Sequence, residues 1–159
     1  MGKDLTYYKN CFANLHLNNE KGRGFAPHKP ILLLSIIALF QGKYITNNQI
    51  FFNKTLIDEF GRNWESVDTR SFVKSIMKPY YHMQYEPFWR LKANLGCEEA
   101  VKDYRRMYSM KNLIESVQYA EIDDELAEIL KTDIGCTELS KILFDNYLRN
   151  NSNDNSNYK

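Results

Sequence analysis

Pro30-Ile31-Leu32-Leu33-Leu34-Ser35-Ile36-Ile37-Ala38-Leu39-Phe40-Gln41 is the stretch on which the fold turns. Only Ser35 interrupts its apolar run, so every face of a helix formed here is hydrophobic, and such a helix belongs at the centre of a core. Pro30 suits the first helical position, because its fixed φ matches the helix and no N–H is needed there. Gly42 ends the helix. The run from Ile31 to Phe40 is half the length that a membrane span requires. A buried central helix in a chain of 159 residues predicts one domain with a substantial core.

Outward from this helix, the periodicity places others. Leu5, Tyr8, Phe12 and Leu15 recur at helical spacing and predict a first helix over Leu5–Leu15. Asn18 to Gly24 reads as a flexible basic loop. Gln49-Ile50-Phe51-Phe52 reads as a short strand, and Lys54 to Trp64 as an amphipathic helix. Asp68 is a plausible N-cap for a helix carrying Arg70, Val73, Lys74 and Met77. Two aromatic-rich segments, Lys78-Pro79-Tyr80-Tyr81-His82 and Phe88-Trp89-Arg90-Leu91, flank a turn and read as a β-hairpin. Helices are expected over residues 98–106, 111–116, 123–131 and 136–147, with the acids of Glu121 to Glu125 at a helix start. The expected fold is mainly α with a small β-hairpin or short sheet, an α+β domain resembling a winged helix. It spans residues 5–149, and the Asn/Ser-rich residues 150–159 are expected to be a disordered polar tail.

Composition narrows the function. Hydrophobic residues make up 43% of the chain and aromatic residues 14%, too apolar for a disordered protein. Cys11, Cys97 and Cys136 form no CxxC pair, which points to reduced thiols in a cytoplasmic protein rather than a zinc site or disulfide framework. Met1-Gly2-Lys3-Asp4 does not begin a signal peptide. The net charge of +1 hides an asymmetry: residues 1–115 carry 17 basic against 11 acidic side chains, and residues 116–159 carry 4 against 9. A basic body ahead of an acidic end suits a polyanion-binding surface.

Ala26-Pro27-His28-Lys29-Pro30 puts an imidazole and a cation where the first N–H groups of the central helix point outward, an arrangement that attracts anions. Arg70, Lys74 and Lys78 recur every fourth residue, a basic stripe for a phosphate backbone if that segment is helical. Arg23, Arg90, Arg105 and Arg106 are further candidates for backbone contact. No HExxH, His-Asn-His, P-loop or dinucleotide motif stands out, so no catalytic residue, metal site or cofactor is assigned.

Gly24-Phe25-Ala26-Pro27-His28-Lys29-Pro30 with Ile31 to Leu34 resembles the opening motif of the sulfur-binding domains of phosphorothioate-dependent type IV restriction endonucleases. Pro79-Tyr80-Tyr81-His82-Met83 followed by Phe88-Trp89-Arg90-Leu91 resembles their second motif. Tyr119 to Leu126 and Leu143 to Leu148 resemble the helices that close the domain. The resemblance implies a module that binds double-stranded DNA in which one non-bridging phosphate oxygen is replaced by sulfur. It implies that His28 and Lys29 approach the modified phosphate, and that Lys78, Pro79 and His82 line the sulfur side with Tyr80 or Tyr81 in support. It also implies a partner nuclease, as a further domain or a separate subunit. The residues alone leave open a DNA-binding domain indifferent to sulfur, or a nuclease.

Overall fold

The computed structural model describes residues 2–20 and 24–148, so Arg23 and the polar tail lie outside the described residues. The apolar helix forms as its composition dictates. Helix α2 spans His28–Gln41 and buries ten of its residues, Ile31, Leu32, Ile36 and Ile37 almost completely. It starts two residues before the predicted position: Pro27 is the N-cap and Pro30 sits in the first turn, where its missing N–H costs nothing.

Around α2 pack α3 (Lys54–Ser66), α4 (Met77–His82), α7 (Asp124–Leu130) and α8 (Asp133–Leu143), and α1 (Leu5–Ala13) packs on α7 and α8. Local chemistry sets their ends. Asp4 and Asn53 accept from the backbone N–H of Tyr7 and Leu56, each at 3.0 Å, capping α1 and α3. In α3, Leu56, Phe60 and Trp64 recur every four residues and are the buried face. At the start of α8, Gly135 lies so close to the preceding turn that an added Cβ would come within 2.2 Å of the Ile129 carbonyl. Two shorter helices, α5 (Glu98–Val101) and α6 (Met110–Ser116), flank a 3-10 turn at Arg106–Tyr108. The chain thus interrupts the helix expected over residues 98–106.

The β structure is small and antiparallel. Strands β1 (Asn19–Glu20) and β2 (Gly24–Phe25) pair with each other. Strands β3 (Gln49–Ile50), β4 (Trp89–Ala93) and β5 (Val117–Ile122) form a three-stranded sheet with β5 in the middle. Ile50 and Leu91 both face Ala120 across the ladder. The expected class, mainly α with a small β element in a single domain, is what the chain adopts.

Three further elements differ from expectation. Residues 67–76 are not a helix. The Asp68 side chain accepts from the Arg70 N–H at 2.9 Å, closing a turn, and Arg70 and Ser71 both take positive φ (52° and 66°). The presumed cap makes a turn instead, and no helical Arg70/Lys74/Lys78 stripe forms. Lys78 to Leu91 is not a hairpin either. Pro79 to His82 lie in α4, a 3-10 turn follows over Met83–Tyr85, and only Trp89 onward is extended. Tyr80 and Tyr81 are both buried, which adjacent residues achieve on a helix but not on a one-faced strand. Lastly, Tyr119 to Ile122 belong to the central strand rather than to a closing helix.

Asp123, directly after β5, ties the sheet to α1. Its carboxylate accepts from the Tyr8 hydroxyl (2.6 Å), Arg90 Nη1 (2.8 Å) and Lys3 Nζ (3.3 Å). Burial alone raises a carboxyl pKa, but these donors hold Asp123 below the usual aspartate range. Its stabilising contribution is therefore present above the unfolded-state pKa and is lost as pH falls through the lower folded value. Asp123→Ala strands the buried Tyr8 hydroxyl and should cost about 2–4 kcal/mol. Urea titration at neutral pH measures that loss, and an unchanged midpoint would exclude the role given to Asp123.

Candidate functional site

The start of α2 and the whole of α4 lie side by side, and a cleft of about 760 Å³ opens between them. Ala26, His28 and Lys29 line it from the first segment; Lys78, Pro79 and His82 line it from the second. Two segments about fifty residues apart in the chain thus form one concave surface. His16, Leu17 and Asn18 close one end, Phe72, Val73 and Ser75 come from the 67–76 loop, and Tyr85 and Tyr108 complete the wall. All three histidines of the chain border this cleft.

Lys29 does not have the role its position in sequence suggests. It is 7% exposed, and its ammonium donates to Glu86 Oε2 at 2.8 Å and to the His16 carbonyl at 3.0 Å. Glu86, 2% exposed, also accepts from the His16 N–H at 2.8 Å and lies 3.3 Å from His16 Nδ1. The Lys29 charge is thus largely neutralised inside the protein, and the pair serves to lock the start of α2 onto the segment after α4. Lys78 is the exposed ammonium at the cleft, with Nζ 5.0 Å from the centre of the Tyr108 ring.

His28 is held from two sides. Its Nε2 donates to the Val73 carbonyl at 2.7 Å, and its ring packs on Trp64 and Phe72 with centroids 5.0 and 5.9 Å away. The imidazole therefore fastens the 67–76 loop to the mouth of α2. His82 hydrogen-bonds the Tyr108 hydroxyl through Nε2 and stacks on Tyr85. Burial lowers its pKa, and the charges of Lys29 and Lys78 lower it further, so the ring is neutral at pH 7. Pro79 beside it is buried and apolar.

The other expected site residues separate. Tyr80 and Tyr81 belong to the core. The Tyr80 hydroxyl donates to the Ile50 carbonyl at 2.6 Å, and the Trp89 indole donates to the Tyr80 carbonyl at 3.1 Å, pinning α4 to the sheet. Arg70 donates to the Phe25 carbonyl at 2.6 Å, joining the loop to β2. Lys74 Nζ lies over Gly61 of α3. Arg90 is bound by Asp123 and Glu121 on the sheet and does not line the cleft. Arg105 and Arg106 are exposed just before Tyr108, with the Arg105 guanidinium 5.2 Å from the Tyr104 ring centre.

Sequence reasoning missed Glu86, Tyr85 and Tyr108. The i, i+4 spacing of Tyr104 and Tyr108 beside Arg105 and Arg106 was the only local signal for that wall. Among the described residues no group of three or more His, Cys, Asp or Glu side chains is placed to hold a metal ion, and no helix is long and apolar enough to cross a membrane.

Glu86→Ala leaves a buried ammonium uncompensated and should cost about 3–5 kcal/mol, whereas Lys29→Met together with Glu86→Leu should recover much of that loss. Chemical denaturation of the three proteins tests this, and equal stability of single and double variants would refute the coupling. His82 makes a second prediction. Because its folded pKa lies below the unfolded value of about 6.5, the unfolded chain binds a proton first as pH falls. Wild type should then lose more thermal stability between pH 8 and pH 5 than His82→Gln; parallel losses would exclude a depressed His82 pKa.

Comparison of the chain with protein-family models and with curated proteins finds no match.

Proposed function

We propose that the cleft binds the backbone of double-stranded DNA at a phosphate in which sulfur replaces one non-bridging oxygen. The observation that carries this reading is the meeting of Ala26, His28 and Lys29 with Lys78, Pro79 and His82 around one cavity. These are the two segments on which the resemblance to sulfur-binding domains rests.

The physical division of labour follows from the site. Lys78 supplies the exposed cation for the phosphate, and the α2 N-terminus, whose N-cap Pro27 makes no side-chain cap hydrogen bond among the described residues, adds the positive end of the helix dipole. Lys29 contributes mainly by positioning. Pro79 and the neutral His82 ring form a weakly polar wall. Sulfur is larger and less strongly hydrated than oxygen, so facing that wall costs it less desolvation, and the difference is selectivity. Each kcal/mol of difference is worth about fivefold in binding. Only one of the two non-bridging positions can face the wall, which makes the site sensitive to phosphorus configuration. In this reading the chain acts in the cytoplasm as the recognition module of a modification-dependent restriction system, and a nuclease domain or subunit makes the cut.

The test is a polarization titration with duplexes that differ only in Rp, Sp or no sulfur substitution. One stereoisomer should bind more tightly than the other and than unmodified DNA. Pro79→Ala, which keeps α4 helical, should reduce mainly that preference. Lys78→Ala should weaken all three duplexes and lower the salt slope by about one phosphate contact. Equal affinity of wild type for the three duplexes would leave a DNA-binding domain indifferent to sulfur. Cleavage of a modified plasmid by the purified chain with Mg²⁺ or Mn²⁺ would make it a nuclease.

A further inference from the structure

Along the wall of the cleft, and on past it to Tyr104, runs a chain of rings of which the phosphate site uses only His82. Tyr85 stacks on His82 at a centroid distance of 5.7 Å and an interplanar angle of 24°. His82 meets Tyr108 edge-on at 5.7 Å, and Tyr108 meets Tyr104 at the same distance. Two of these rings open to solvent: Tyr85 is 61% exposed and Tyr104 is 43% exposed. They are not core residues that happen to lie near the surface. Tyr81 and Met107, close to them in sequence, are the buried residues here.

The charges around the rings have one dominant sign. Lys78 Nζ lies 5.0 Å from the Tyr108 centroid and the Arg105 guanidinium 5.2 Å from the Tyr104 centroid. Against them, Glu86 is consumed by Lys29, and the exposed Asp103 carboxylate accepts from the Arg105 backbone N–H at 3.2 Å. An accessible ring with a cation over one side matches a nucleotide: the ring can offer its other face to the base, and the cation reaches the attached phosphate.

We propose that Tyr85 and Tyr104, carried on the His82–Tyr108 pair, form a second subsite that stacks an unpaired nucleobase next to the phosphate held in the cleft. This rests on the reading of the cleft as a DNA-phosphate site. A base inside a duplex hides both faces against its neighbours, so the nucleotide must leave the stack to reach the tyrosines. That extrusion costs least where the base pair is already weak. The subsite therefore makes the protein sensitive to pairing beside the bound phosphate, a property separate from sulfur preference. Stacking is indifferent to base identity, because every base has a π face.

Binding of the full chain to two sets of 12-base-pair duplexes tests this. In one set all bases are paired; in the other a single mismatch adjoins the phosphate, with and without sulfur. Wild type should bind the mismatched duplex about tenfold more tightly. Tyr85→Ala and Tyr104→Ala should abolish that gain, and Tyr85→Phe should keep it, since the hydroxyl plays no part in stacking. Both tyrosines are exposed enough for the alanine variants to fold, and their melting temperatures verify this. Equal binding of paired and mismatched duplexes by wild type, or a gain that survives in both alanine variants, overturns the subsite. A mismatch gain without sulfur preference supports the subsite and removes the sulfur reading, whereas sulfur preference without a mismatch gain does the reverse. No binding to any duplex removes both.

Discussion

The buried ion pair between Lys29 and Glu86 is the constraint from which the site follows. An ammonium and a carboxylate, both almost fully removed from water, tolerate burial only when they meet with good geometry and their remaining bonding capacity is used. Here Lys29 also reaches the His16 carbonyl, and Glu86 also takes the His16 N–H. Three separate pieces of chain are thereby held at one point: the segment after α1, the first turn of α2 and the turn after α4. The cleft is the space that this junction leaves at the surface.

Its chemistry is the complement of what the junction consumes. With Lys29 neutralised, the exposed ammonium lining the cleft is that of Lys78. His28 is spent on fastening the 67–76 loop through Val73, and His82 is kept neutral by partial burial beside two ammonium groups. The result is a surface with an exposed cation on one side and weakly polar rings on the other. It is on this pairing of a cation with a weakly polar wall that the proposed ligand, a phosphate carrying sulfur, rests.

The departures from the expected elements have local causes that a short stretch of sequence leaves ambiguous. Aromatic residues are common in strands and in buried helices alike, and a short run does not reveal which. Tyr80 and Tyr81 looked like a strand with alternating faces, yet both are buried, because α4 lies between the sheet and α2. Asp68 looked like a helix cap, yet its side chain closes a turn onto Arg70. Strand β5 escaped notice because Val117 to Ile122 does not alternate cleanly, and its identity depends on β3 and β4 lying on either side.

The sequence by itself determined the central helix, since a run that is apolar on every face has no stable place except a core. It determined α1 and α3 through their spacing and caps, and it singled out the two segments that border the cleft. Tertiary structure alone decided what each polar residue in those segments does. A lysine's charge is available or spent according to the carboxylate beside it, and Glu86 lies fifty-seven residues from Lys29. Tyr108 joins Tyr85 as a wall only when the chain brings it to His82, twenty-six residues away. Long-range packing sets solvation and pairing, and these decide whether a basic or aromatic residue serves the core or faces a ligand.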